Sequence, residues 1–379
     1  MFDSFIQLVR EIYHTEEFIP LHEPRFVGNE KQYLLDVVDS TYVSSVGPYV
    51  DQFEAKIAEY CGVKRAVATV NGTAALHMAL LLAGVKPGEQ VITQAVSFVA
   101  TANAITYCGA EPVFVDVECN RLGLSPLALG EFLAEFAEFR DGAVWNKLNG
   151  KRIAACLPMH TFGHPCDIEA ILQICDLYQL PVIEDAAEAL GSTWHGKHCG
   201  SFGLLGALSF NGNKIITTGG GGMILTNDEK LAQQAKHLTT TAKIAHPWQF
   251  IHDQLGFNYR LPNLNAALGL AQLEQLPAFL ENKRALAQRY INWARQKHVE
   301  ILVEPFGAHS NYWLNALLFK DKVECDLFLG ASNHNGIMTR PLWELLCNLP
   351  MYKHCQTDGL QNSHAVVARL VNIPSSVVQ

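Results

Sequence analysis

The sequence predicts an α/β protein, with a mostly parallel central sheet flanked by helices in a large domain and a smaller C-terminal α/β domain. Strand-like and helix-like stretches alternate along the chain, and the strand-like ones are apolar throughout rather than at every second residue. Strands of that kind are buried on both faces, as in parallel sheets covered by helices. With 379 residues, 49% of them hydrophobic, the chain is long enough to bury such a core.

Residues 51–61 carry Phe53, Ile57, Ala58 and Cys61 on one helical face. Residues 66–70 read as a strand, followed by the turn Asn71-Gly72-Thr73 and a helix over 74–83. A strand at 90–93, a helix at 100–107 and a strand at 112–115 come next. Residues 152–158, 168–178 and 181–184 repeat the order strand, helix, strand. Strands at 207–210 and 222–226 enclose a lysine loop and a run of four glycines. After about residue 245 the character changes. Helices are expected at 264–276 and 278–297, β structure at 300–303 and 312–319, and a helix at 326–334. The expected division is a large domain over 1–245, including the N-terminal segment, and a smaller one over 246–379.

Lys and Arg number 28 against 37 Asp and Glu, a net charge of −9, which disfavours a general nucleic-acid binder. A phosphorylated small molecule remains compatible, because backbone amides at a helix N-terminus bind phosphate without net positive charge. The ten cysteines form no C-x-x-C pair and several lie in apolar runs, a pattern of reduced thiols in a reducing compartment. Met1–Arg10 lacks a basic region followed by an apolar core, and no apolar run approaches the roughly 18 residues of a membrane span. A cytoplasmic protein without a membrane partner is expected. His160 with His164, and His195 with His198, lack a third ligand at metal-site spacing, so no metal is expected.

Three stretches carry chemistry. In Asn71-Gly72-Thr73-Ala74-Ala75-Leu76 a glycine at a strand-to-helix turn lets amides face a phosphate, with the Thr73 hydroxyl as a further donor. On its own, Thr73 reads first as a helix N-cap. In Val182-Ile183-Glu184-Asp185 two carboxylates end a buried strand, where open α/β sheets place their ligands. An ionised Asp185 there needs a cationic partner, such as a protonated pyridine nitrogen, or else a salt bridge or helix cap. In Ser209-Phe210-Asn211-Gly212-Asn213-Lys214 a lysine follows an apolar strand beside Gly219–Gly222, a setting for an amine that attacks a carbonyl. Alone, Lys214 reads as an ordinary surface lysine. Together and in this order, the three supply a phosphate anchor, a partner for a ring nitrogen and an imine-forming amine.

In these stretches the chain resembles the sugar-nucleotide aminotransferases of the DegT/StrS group, which are fold-type-I pyridoxal phosphate enzymes. The likeness extends to Val46-Gly47-Pro48-Tyr49-Val50 with Phe53-Glu54, to Ser97–Asn103, and to His160-Thr161-Phe162-Gly163. Gly256-Phe257-Asn258-Tyr259-Arg260 and Leu349-Pro350-Met351-Tyr352 complete it, so it spans about residue 20 to beyond 350. Within the group, the chain is similar to 4-aminotransferases acting on UDP-linked 4-keto-6-deoxy-N-acetylhexosamines. The resemblance implies pyridoxal 5'-phosphate, glutamate as amino donor, a nucleotide-linked keto-sugar as acceptor, and a homodimer with shared active sites. It implies that Lys214 forms the Schiff base and carries protons, and that Asp185 pairs with the pyridinium nitrogen. Phe98 would stack on the ring, and Gly72, Thr73 and Ser209 would hold the phosphate. Asn258 would reach the phosphate from the neighbouring subunit; a structural turn residue is the alternative. Arg260, Arg340, Tyr352 and His160 are candidates for contacts to the substrates.

Two departures stand out. Glu188 lies where many relatives carry Gln or His near the cofactor's phenolic oxygen, so it is either protonated there or turned elsewhere, toward substrate. Many relatives also continue with a further helix beyond Val371–Ser375, so the C-terminus reads as short or trimmed. A sugar dehydratase is the competing reaction, but its relatives have His where Lys214 stands. A non-catalytic binding protein on the same scaffold is the other alternative.

Overall fold

The computed structural model describes residues 1–378. Helices α1 (Phe2–Tyr13), α2 (Glu30–Ser40) and α3 (Pro48–Cys61) precede strand β1 (Arg65–Thr69). Then follow α4 (Gly72–Leu82), β2 (Gln90–Gln94), α5 (Val99–Tyr107), β3 (Glu111–Val115) and β4 (Arg152–Leu157). The series closes with α6 (Ile168–Leu177), β5 (Ile183–Asp185), β6 (Leu205–Ser209) and β7 (Gly222–Thr226). Each strand predicted from the apolar runs up to this point is present.

These strands form one sheet in the order β1-β7-β6-β5-β4-β2-β3. The pairing of β6 with β5 is parallel, as are those of β2 with β3 and with β4. The parallel bridges Cys156↔Val182 and Met159↔Asp185 join β4 to β5. Of these seven strands only β7 runs the other way, between β1 and β6, while a hairpin of Ala137–Arg140 with Ala143–Asn146 adds antiparallel to the start of β4. The six parallel strands therefore end on the same edge, and the loops after β1, β2, β4, β5 and β6 meet there. Helix α4 lies against the sheet and is buried over most of its length, which matches its almost wholly apolar sequence.

The C-terminal part holds a long helix, α7 (Asn263–Lys297), and a four-stranded antiparallel sheet. That sheet runs β8 (Glu300–Ile301), β9 (Asn315–Leu318), β11 (Leu370–Ile373) and β10 (Arg340–Pro341), with helix α8 (Lys322–His334) beside it. The sequence predicts two helices broken at Pro277, yet α7 is continuous through it. Leu276, Phe279 and Leu280 are buried on either side, so packing outweighs the lost amide and the ring clash. The N-terminal helix was not predicted. Its stripe Phe5, Val9 and Ile12 packs on Tyr290 and Trp293 of α7 and Phe328 of α8, so the first segment sides with the C-terminal part. All ten cysteines are free thiols, and eight are buried. Among the described residues no helix is long and apolar enough to cross a membrane.

Candidate active site

Where β1 ends, Asn71 is the N-cap of α4, and its Oδ1 accepts from the Ala74 amide at 2.8 Å. Capping thus falls to Asn71, which leaves Thr73 in the first turn. The amides of Gly72 and Thr73 have no carbonyl within the helix to bond, and they sit at its electropositive end. Gly222 pairs with Thr69 on one side and Ser209 on the other, which draws the ends of β1 and β6 together. A Cβ on Gly72 would come within 2.9 Å of the Ser209 Cβ, and one on Gly222 would collide with the Asn71 carbonyl. Glycine is required at both positions for lack of room.

At the end of β5 the two carboxylates point to opposite faces. Glu184 accepts from His160 Nε2 at 3.0 Å and from the amides of Gly200 (2.7 Å), Phe202 (2.6 Å) and Gly203 (2.7 Å). Burial alone would push its carboxyl up, but His160 and the backbone donors outweigh this and hold it below the usual range. Glu184 and His160 thus form a structural pair. Asp185, 2% exposed, accepts only from the Thr101 hydroxyl at 2.7 Å and the Ala187 amide at 3.2 Å. Burial raises its carboxyl, against the pull of those two bonds and of the Lys214 charge. A buried carboxylate with neutral donors alone is under-compensated, and a cationic group opposite it would be stabilised.

The Lys214 amine lies 3.2 Å from Glu188 Oε1 and 4.0 Å above the centroid of the Trp313 ring. The second oxygen of Glu188 accepts from the Phe162 amide at 2.9 Å. Burial raises the Glu188 carboxyl to about 7, although Lys214 pulls it back. Trp313 is fixed from two directions. Its indole Nε1 donates to the Asn213 carbonyl at 2.6 Å, and its own carbonyl accepts from the buried Lys283 amine at 3.2 Å. Nothing local in the sequence marks Trp313 or Thr101 for this site.

The donor set fits pyridoxal phosphate. The Gly72 turn with Ser209 offers an anion cradle, Asp185 lacks a cation, and Lys214 presents an amine on the same sheet edge. Phe98, at the start of α5, is 51% exposed and meets Trp343 edge-on at 6.2 Å, which leaves a ring face free for stacking.

Other expected residues are not gathered there. His160 is fully buried, its Nε2 on Glu184 and its Nδ1 accepting from the Cys166 amide at 3.2 Å, so neither nitrogen is free for substrate. Tyr352 is 3% exposed, and its hydroxyl donates to Asn103 Oδ1 at 2.6 Å, away from the Lys214 loop. Arg340 lies at the start of β10, bonded to Asn333 and to the Thr339 carbonyl. Arg260 donates to Asn258 at 2.9 Å, both on the chain that follows a hairpin of Lys243–Ile244 with Ile251–His252. Around that hairpin Trp248 is 78% exposed, Phe250 82% and Leu255 83%.

Residues 24–378 match the model of the DegT/DnrJ/EryC1/StrS aminotransferase family. The chain is similar to the GDP-perosamine synthase of Caulobacter vibrioides, 37% identical over 365 residues, with 94% of this chain and 93% of that one covered. It is also similar to the spore coat polysaccharide biosynthesis protein SpsC of Bacillus subtilis, 35% identical over 298 residues, with 76% and 72% covered. Among solved structures, the aminotransferase TlmJ from Streptoalloteichus hindustanus superposes with a TM-score of 0.84 at 28% identity, over 94% of this chain and 93% of that one.

Proposed function

From a chain that belongs to the DegT/DnrJ/EryC1/StrS aminotransferase family, we infer that glutamate's amino group is passed to the carbonyl carbon of a nucleotide-linked keto-sugar. The aminotransferase is a pyridoxal phosphate enzyme. Glutamate leaves as 2-oxoglutarate, and the sugar carbon exchanges its oxygen for nitrogen. The observation that carries this reading is the meeting of the Lys214 amine, the Glu188 carboxyl and the under-compensated Asp185 beside the Gly72–Ser209 cradle.

When bound, pyridoxal phosphate supplies an electron sink for charge that develops at the substrate carbon. Gly72, Thr73 and Ser209 would hold its phosphate, and Phe98 would pack on its ring. Asp185 would keep a proton on the ring nitrogen, and the Thr101 bond keeps that carboxylate aimed. Lys214 would offer the amine that anchors the group and would carry a proton to and from the substrate carbon. Glu188, close to neutrality and 1% exposed, exchanges a proton with the Lys214 amine across their 3.2 Å contact.

The site is completed by a second copy of the chain. Asn258 serves a neighbouring subunit's phosphate, and the apolar side chains of Trp248, Phe250 and Leu255 support a contact between subunits there. The free, mostly buried thiols support a reducing, cytoplasmic setting.

The resemblance to 4-aminotransferases favours a UDP-linked 4-keto-6-deoxy sugar; relatives named GDP-perosamine synthase favour a GDP-linked one. Measuring 2-oxoglutarate released from glutamate against UDP-, GDP- and dTDP-linked 3-keto and 4-keto sugars decides between them. Release with none of them would overturn the reading.

A further inference from the structure

The Lys214 amine has two close neighbours, the Glu188 carboxyl at 3.2 Å and the face of the Trp313 ring at 4.0 Å. Only 13% of the lysine side chain is exposed, so little water shares in these contacts. An aromatic face carries negative charge density. It stabilises an ammonium, does little for a neutral amine, and acts more strongly as water is excluded.

The ring is held more firmly than core packing needs. Its indole N–H donates to the carbonyl of Asn213, the residue before the lysine, at 2.6 Å. Its backbone amide donates to Asn311 Oδ1 at 2.8 Å. The Nδ2 of the same fully buried Asn311 donates to the Glu188 carbonyl at 2.8 Å and to the Leu190 carbonyl at 2.9 Å. One side chain therefore ties together the backbones that carry both neighbours of the amine. Tyr312, just before Trp313, has φ 47°, and Phe162, whose amide holds the second oxygen of Glu188, has φ 57°. Such left-handed conformations are costly for these residues and persist only where their surroundings over-determine them.

We propose that Trp313 is a positioning residue whose indole face receives the Lys214 amine as an ammonium whenever that amine is not joined to the cofactor, with Asn311 fixing the ring relative to Glu188. This rests on the reading that Lys214 is the lysine that joins pyridoxal phosphate. An amine attacks a carbonyl only after losing its proton, so the ring keeps the free lysine in place and sets the pH at which it becomes reactive.

The test begins with the cofactor-free protein. Trace acetylation by acetic anhydride across a pH series, read by the mass of the Lys214 peptide, follows the neutral amine in the wild type, Trp313→Phe and Trp313→Leu. Trp313→Leu should move the labelling midpoint about one unit to lower pH, the scale of a desolvated cation–π contact, and leave the rate at high pH unchanged. Trp313→Phe keeps an aromatic face and should move the midpoint less than half as far. A residue that only fills the core would change the melting temperature or the high-pH rate without moving the midpoint, and that result would overturn the proposal. Equal shifts in the Phe and Leu variants would also overturn it, since lost volume and not the ring face would then be responsible. With pyridoxal phosphate and borohydride, capture at Lys214 should extend to lower pH in Trp313→Leu than in the wild type. If the wild type is captured at a different lysine, the cofactor reading fails, while labelling of the cofactor-free protein still judges Trp313.

Discussion

Glu188 and Lys214 face each other at 3.2 Å, and the carboxylate of the pair is almost wholly enclosed, with 1% of its side chain exposed. Enclosure raises the Glu188 carboxyl to about 7, although the Lys214 charge beside it pulls the other way. This bears on the departure at Glu188, because the carboxyl is turned toward the lysine and is easily protonated.

Stability should record that proton. A carboxyl whose folded pKa is raised takes up more protons in the native state than in the unfolded one, between its ordinary value and about 7. The contribution is full below the unfolded pKa and is lost as pH rises through about 7. Urea titrations of the cofactor-free protein at pH 5 and pH 8 should therefore show wild type losing about 2–3 kcal/mol more than Glu188→Gln. Equal losses in the two proteins would refute the role of Glu188.

Replacing Lys214 by Ala should abolish covalent retention of the cofactor after borohydride reduction, read by peptide mass. Release of 2-oxoglutarate should fall by about 100- to 10,000-fold, the range seen when a proton-transfer group is removed. Persistent labelling at another lysine would move the assignment elsewhere.

Asp185→Asn keeps the shape and removes the charge. Cofactor should still bind, but the amination rate should drop at least about 100-fold. Thr101→Val should cost about tenfold, the equivalent of one hydrogen bond to a charged group. A Thr101 variant as slow as the Asp185 variant would mean that Thr101 does more than orient the carboxylate.

Gly72→Ala should force a Cβ to within 2.9 Å of Ser209. The expected cost is about 1–3 kcal/mol of stability, as for other overpacked sites, with weaker cofactor binding. Adding Ser209→Gly should restore thermal stability but not cofactor affinity, because the hydroxyl goes with the Cβ.

Mixing Lys214→Ala with Asn258→Ala protein should regenerate activity that neither possesses, if Asn258 serves the neighbouring subunit. Sedimentation of Trp248→Ser with Phe250→Ser should show smaller particles. Failure of complementation between folded variants would place Asn258 in its own subunit's structure.

The sheet was legible because its strands are buried on both faces and so are apolar at every position, as in Cys156 and its neighbours or Ile183. Lys214 and Asp185 stand out as candidates through their order along the chain and their place after strands. Trp313 and Thr101 do not. Each comes near the site through tertiary packing, and a tryptophan beside a small antiparallel sheet carries no local mark of touching a lysine elsewhere. His160 misled for a related reason. Its loop does border the sheet edge, yet alternation along β5 sends its partner Glu184 to the opposite face from Asp185. The N-terminal helix had a readable apolar stripe, but nothing local says that it docks on α7 and α8.

Trp313 couples two regions that are far apart in sequence. Its indole is tethered to the lysine loop, while its carbonyl is tethered to α7 and, through Lys283, to the Ser375 carbonyl of the tail. Prying the C-terminal layer from the main sheet would tug directly on the Lys214 loop. Attachment of the coenzyme and seating of that layer should accordingly rise and fall as one cooperative event.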